Sequence, residues 1–334
     1  MFFFSRVLPM GPLIWQAVLD ICRPRFLPFQ RLMHGLTATG GRLPYHDEAH
    51  PQSSYTDTQH HVITTKHRPI IQQSNNQKLI MIGIFAEVYL VDGTIIRKAP
   101  RSGSEEDLQP IIREATIYNL LDDHPRIAQC TSRGRMDYID IKYYSHGDLA
   151  SFCQTNEVTP ELKSKLFQQL IEAVAVIHSY DIIHSDLALR QFFVDNDFNI
   201  RLGDFNSSQY PGHPALGYEK ATHCLPRDYE LPNTVLSDLF ALGSTLYELL
   251  TGKPPYSNLY PVESEDTVRS GDPDVIRARF QREHLANLEV EQRYKNHEFP
   301  DVCHLFRGDI ILGLWNGKIT SAAEAVTLST HSPY

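Results

Sequence analysis

The sequence predicts an α+β chain in two lobes, a small antiparallel β-sheet carrying one helix and then a mainly helical half. Three observations predict it. β-branched runs broken by turn signals fill residues 79–100, so the first regular structure is a set of short strands. The period changes near residue 105, where apolar residues begin to recur every three or four positions. Beyond residue 160 two long helical patterns follow, one amphipathic and one apolar almost all round. At 334 residues, 42% hydrophobic and 21% charged, the chain is long enough for about two domains, or two lobes of one, around a large core.

Taken in order, LIMIGIFAEVYLVDGTIIRKAP reads as strand, turn, strand, a hairpin at Asp92-Gly93, and a third strand ending at Lys98. In EEDLQPIIREATIYNLLDDHP, Ile111, Ile112, Ala115, Tyr118 and Leu121 follow a helical period that sets Glu114 beside the buried stripe, where an acid needs a cationic partner. ELKSKLFQQLIEAVAVIHSY aligns Leu162, Leu166, Leu170, Val174 and Ile177 on one helix face. SDLFALGSTLYELLTG reads as the central buried helix, and GDIILGLWNGK as a late packing helix. Between the two long helices lies IIHSDLALRQFFVDNDFNIRLGDFNSS. It reads as an apolar strand ended by Asp186, a short hairpin at Asp195-Asn196, and another strand ended by Asp204. Two such carboxylates, with the Gln191 amide between them, are either a pair of turn aspartates or what phosphoryl transfer needs. In the second case one acid accepts the proton of the attacking hydroxyl and the other holds a metal on the phosphates.

Composition narrows the function classes. The net charge of −9, with no long Lys/Arg run, excludes a protein built mainly to grip nucleic acid, because that grip is charge neutralisation. Cys22, Cys130, Cys153, Cys224 and Cys303 form no paired zinc spacing and no disulfide framework, so they read as reduced thiols of a cytoplasmic or nuclear protein. Pro9, Pro12 and Asp20 interrupt the one apolar run near the start, and no integral membrane association is expected. Residues 1–33 are apolar with several arginines, either a targeting segment or an extension. Residues 34–77 are polar and read as a disordered linker. Its histidines (His46, His50, His60, His61, His67) are too irregularly spaced for a metal site.

From residue 78 to 330 the chain resembles a eukaryotic protein kinase domain, and within it a divergent group expanded in filamentous fungi. HSDLALRQ resembles the catalytic loop H-R-D-L-x-x-x-N, and LGDFN resembles D-F-G. Lys98 in TIIRK and Glu114 stand at the places of the phosphate-binding lysine and its ion-pair partner, and SDLFALGSTLYELLTGKPPY resembles the family's helix F. That last pattern separates the chain from small-molecule phosphotransferases, which share the looser H-x-D and D-F motifs. The resemblance implies a protein-kinase-like fold with an N-lobe at 78–141, a hinge at 142–146 and a C-lobe at 147–330. It also implies ATP and Mg²⁺ as cofactors and a protein substrate. By the same resemblance Asp186 is the base, Lys98 and Glu114 complete the catalytic set, and Asp204 and Gln191 hold metal. Gly83, Val88, Lys98, Ile141, Tyr143 and Phe193 then face ATP, with Ile141 at the gatekeeper position, and Asp238 ties the catalytic-loop backbone.

The pattern is broken in several places. In MIGIFAEV only Gly83 survives of the glycine-rich loop, with Met81 and Ala86 at the other glycine positions, and Ile96 replaces the small residue over adenine. Gln191 replaces Asn, Asn206 replaces the glycine of D-F-G, and Ser185 replaces the arginine that pairs with a phosphorylated activation segment. The last change predicts no activation through such a phosphate. Ala188 and Arg190 match the tyrosine-kinase form of the loop, and LPRDYELPNT stands where A-P-E is expected, with no evident arginine partner. The chain after Tyr256 looks thin, although Arg293-Tyr294 and an FPDV block match the fungal group. The expected function is an ATP-dependent protein kinase acting slowly on a Ser/Thr or Tyr hydroxyl; the alternative is a pseudokinase serving as a binding scaffold. Tyr143, Tyr144 and Trp315 read as packing residues, His184 as a structural histidine, and Glu105-Glu106 and SGDPD as solvated turns.

Overall fold

The computed structural model describes residues 76–264, 267–268 and 270–330. The expectations for residues 1–33, and for the linker up to residue 75 with its histidines, lie outside them. Four strands, β1 (Gln77–Ile82), β2 (Ala86–Val91), β3 (Ile95–Pro100) and β4 (Ile139–Lys142), form an antiparallel sheet in that order. β1 starts two residues earlier than the apolar run, and β3 continues past Lys98. Because side chains alternate across a sheet, Val88, Lys98 and Ile139, paired in register, share one face, and Ile96 and Ile141 share it with them. The other face carries Arg97, forked onto Asp140 at 2.7 and 2.6 Å, with its guanidinium 4.2 Å from the Tyr138 ring.

Helix α1 (Glu105–Leu120) follows β3. Ser104 caps it by accepting from the Asp107 amide, and Glu105, Glu106 and Asp107 set negative charge against the positive end of the helix dipole. The acidic pair is therefore a helix start and not a solvated turn. Ile111, Glu114, Ala115 and Tyr118 are buried as the period requires, with Ile117 taking the buried place expected of Ile112.

The second lobe begins with α2 (Leu149–Thr155) and α3 (Pro160–His178). Leu166, Leu170, Val174 and Ile177 of α3 are fully buried, and Leu162 packs at the margin. β5 (Phe192–Val194) and β6 (Ile200–Leu202) form a two-stranded ribbon whose connection runs from Asp195 to Asn199, longer than a two-residue hairpin. Ile182–His184 is no strand; it makes a single bridge, Ile183 to Gln209. Helix α4 (Val235–Thr251) starts at a reciprocal Thr234/Ser237 capping box and ends at Gly252 with φ of 77°. Its residues 237–246 are all buried. Trp315 of α6 (Gly308–Trp315) packs against Gly243 and donates to Ser244 Oγ at 3.0 Å.

The region after Tyr256 is not thin. α5 (Pro273–Lys295) runs 23 residues, with SGDPD supplying its start: Asp272 caps and Pro273 opens the first turn. α7 (Ala322–Thr330) closes the described chain. Among the described residues no helix is long and apolar enough to cross a membrane, and Cys130, Cys153, Cys224 and Cys303 are all free thiols.

Candidate active site

The sheet register aims Lys98 at the inner face, where its Nζ lies 3.1 Å from both Glu114 oxygens and 2.6 Å from Asp204 Oδ1. α1 supplies the buried glutamate and the turn after β6 supplies the aspartate. Burial alone works to lower the Lys98 pKa, but the Asp204 and Glu114 carboxylates outweigh it and raise it above the usual lysine range. Glu114 is pushed up to about 7 by burial, with Lys98 pulling the other way. Burial also works to raise Asp204, and Lys98 overrides it, so this carboxyl lies below its ordinary value.

Asp204 has left-handed backbone, φ 62° and ψ 53°, a conformation that Asp tolerates better than most residues. The residues on either side hold it there. Phe205 is fully buried, edge-on to Tyr118 of α1 at 5.2 Å and against the His184 ring at 5.4 Å. Gly203 presents its carbonyl to His184 Nε2 at 3.0 Å, and a Cβ on it would lie 2.8 Å from the Phe193 ring and 2.9 Å from Tyr118 Oη. Only glycine fits between those two rings. Asn206 Nδ2 donates to Asp204 Oδ1 at 2.8 Å, leaving Oδ2 with no donor among the described residues.

Asp186 sits on a loop fixed from behind. The buried Asp238 carboxylate of α4 accepts from the backbone amides of His184 at 2.6 Å and Ser185 at 3.0 Å, and meets His178 Nε2 at 3.1 Å. Ser185 is buried at φ 67°, its hydroxyl turned onto the Ile183 carbonyl at 3.2 Å. Asp186 Oδ1 pairs with Arg190 four residues on, and Oδ2 accepts from Gln191 Nε2 at 2.6 Å. The same Nε2 reaches the Asp186 carbonyl at 3.1 Å, so the amide nitrogen is committed and the Gln191 oxygen remains for another partner. The Gly203 amide donates to the Gln191 carbonyl at 2.9 Å, joining the Asp186 loop to the Asp204 turn.

The remaining expected nucleotide contacts spread along the sheet and its exit. Gly83 closes the β1–β2 turn, donating to the Ala86 carbonyl at 2.7 Å, and Arg101 braces that turn through the Ile84 carbonyl at 3.1 Å. Val88 and Ile141 are buried on the Lys98 face. Lys142 belongs to β4 and not to the connection beyond it. Tyr143 is 39% exposed, so its ring is no packing residue, and its amide is taken by the Thr94 carbonyl at 2.7 Å. Tyr144 does pack: its hydroxyl accepts from the Gln129 amide at 3.0 Å and its ring stacks on Phe193 at 5.8 Å.

One buried pair was not legible in the sequence. Arg227, the third residue of LPR, donates to Glu219 Oε2 at 3.0 Å and Asn233 Oδ1 at 2.6 Å between the Tyr218 and Tyr229 rings. The segment thus closes on itself with the cation where an acid was expected, while Arg293 turns to Glu289 on its own helix. Burial pushes the Glu219 carboxyl up to about 7, against the pull of Arg227. The only sequence signal was a glutamate eight residues before the arginine.

The model of a family described as the protein kinase domain matches residues 86–295. Among curated relatives, the chain is similar to the cell cycle serine/threonine-protein kinase CDC5/MSD2 of Saccharomyces cerevisiae. That match is 28% identical over 166 residues, 46% of this chain and 23% of that protein. It is 30% identical over 179 residues to the serine/threonine-protein kinase kin-29 of Caenorhabditis briggsae, 50% of this chain and 22% of the relative. To the mouse testis-specific serine/threonine-protein kinase 2 it is 32% identical over 140 residues, 38% of each chain. The chain thus spans well under half the length of each of these relatives.

Proposed function

This chain belongs to the protein kinase family, and on that premise we propose that it transfers the γ-phosphoryl group of ATP to a hydroxyl of a protein substrate. The observation that carries the reading is the retained Lys98–Glu114–Asp204 constellation, with Lys98 Nζ within 3.1 Å of both acids. Lys98, held forward by Glu114, meets the nucleotide phosphates. Asp186, oriented by Arg190 and Gln191, takes the proton as the substrate oxygen bonds to the γ-phosphorus and the bond to the ADP oxygen breaks. Asp204 Oδ2 and the Gln191 oxygen, both without a protein donor among the described residues, are the donors that would hold Mg²⁺; the bound metal neutralises phosphate charge. The relatives' names favour serine or threonine as the acceptor, and Arg190 beside Asp186 favours tyrosine.

A second reading, a scaffold without transfer, is favoured by Ile96 on the Lys98 face and by Met81, which stands on β1 at the first glycine position of the loop. Thermal shift with ATP, with and without Mg²⁺, and phosphate transfer to peptide mixtures by the chain and by Asp186→Asn separate the two. Metal-dependent binding with transfer lost in the variant supports the kinase. Absence of any Asp186-dependent transfer overturns it, and the residue labelled identifies the acceptor type.

A further inference from the structure

With Ser185 turned inward, the catalytic loop offers the activation segment no cation at the position after His184. The segment is held from another side. Arg113, the residue before Glu114 on α1, is 8% exposed, and its Nη1 donates to the carbonyls of Ser208 at 2.7 Å, Pro214 at 2.5 Å and His213 at 3.4 Å. Its guanidinium lies 5.3 Å from the Tyr210 ring, which itself stacks on His213 at 4.2 Å. Among the described residues no carboxylate pairs with it, and its Nε has no acceptor. Burial accordingly pulls its pKa down. A desolvated cation compensated by carbonyl dipoles and one aromatic face is costly to keep, and removing it would strand the carbonyls it serves.

Neighbouring helix residues point about 100° apart, so Glu114 faces Lys98 while Arg113 reaches the segment. The serine and threonine hydroxyls there are already engaged. Ser208 Oγ donates to the His184 carbonyl at 2.9 Å, Ser207 Oγ donates to Asn206 Oδ1 at 2.9 Å, and buried Thr222 contacts His223 Nδ1 at 2.9 Å.

We propose that Arg113 is a positioning residue that ties the Glu114 turn of α1 to the backbone of residues 208–214, seating the activation segment without phosphorylation. The catalytic consequence rests on the kinase reading above; the seating itself does not. The test uses the full chain after phosphatase treatment, as wild type, Arg113→Ala and Arg113→Lys. It reads amide hydrogen exchange across the segment together with kcat and KM for ATP. Expected are wild-type kcat within about twofold of the untreated chain and, in Arg113→Ala, kcat down about tenfold with KM within about twofold. Exchange at 207–216 rises about tenfold in that variant, and Arg113→Lys, keeping one donor on the same side, falls between the two.

Wild-type exchange in Arg113→Ala, or a wild-type activity lost on dephosphorylation, overturns the proposal. Should Arg113→Ala not fold, Arg113→Lys decides: a rise confined to residues 207–216 supports the tie, and a rise shared equally by α4 refutes it. A chain with no transfer activity in any state sinks the kinase reading and leaves the exchange comparison to decide this one.

Discussion

Arg227→Met isolates the buried pair in the activation segment. The substitution removes the bonds to Glu219 Oε2 at 3.0 Å and Asn233 Oδ1 at 2.6 Å and keeps most of the apolar stem between the two tyrosines. Stranding a buried charge costs about 3–5 kcal/mol. Glu219 has an escape, because burial already holds its carboxyl at about 7 and loss of the guanidinium lifts it further. Since its folded pKa lies above the ordinary value of 4.5, the folded wild type binds the extra proton between 4.5 and about 7, and stability falls as pH rises through that window. In the variant the window extends upward, at up to about 1.4 kcal/mol per pH unit. The deficit relative to wild type is then smallest near pH 5.5, where Glu219 is protonated in both proteins and the loss is that of the hydrogen bonds to Asn233 and the Leu225 carbonyl, about 1–3 kcal/mol. Between about pH 7 and 9 it grows by up to about 3 kcal/mol. Urea unfolding followed by tryptophan fluorescence at these three pH values measures it, and adding Glu219→Gln removes the growth. A deficit constant across the range, or one that grows equally in the double variant, refutes the reasoning.

Gly203→Ala forces a Cβ to within 2.8 Å of the Phe193 ring and 2.9 Å of Tyr118 Oη. Overpacking of this kind costs about 1–3 kcal/mol, a fall in Tm of about 2–12 °C; a Tm unchanged by calorimetry contradicts the packing. Because burial sets the Glu114 carboxyl at about 7, kcat/KM for ATP is expected to rise with pH through that value as the carboxylate forms and fixes Lys98. Glu114→Gln loses that limb; a limb that survives belongs to another group. Ser208→Asp replaces a fully buried donor to the His184 carbonyl with an unpaired charge. It should destabilise by more than about 2 kcal/mol in urea unfolding and leave kinase activity no higher, so stimulation would contradict phosphate-independent seating.

The fold was legible where its period was strong. α4 shows ten consecutive buried residues, 237–246, and α3 shows a clean stripe, so both stand out in the sequence. α5 does not, because only Ala286, Val290 and Tyr294 of its 23 residues are buried, a stripe one residue wide amid charge. The strands around Asp92-Gly93 were equally plain, whereas Ile182–His184 looked like a strand because buried apolar residues need not be paired along an edge.

The charged residues of the site were readable from local motifs: Lys98 on a strand, Glu114 on a helix stripe, Asp186 and Asp204 beside short apolar runs. Their identity and their place on an element are local properties, fixed by side-chain period and turn chemistry. What only the tertiary structure decided is which charges compensate which. Lys98 bridges two acids from different elements, Arg227 meets Glu219 in place of an acid meeting an arginine, and Arg113 spends its charge on carbonyls. A charge taken out of water must find a partner within a few ångströms, and such distances between residues far apart in the chain are set by packing and not by spacing along it.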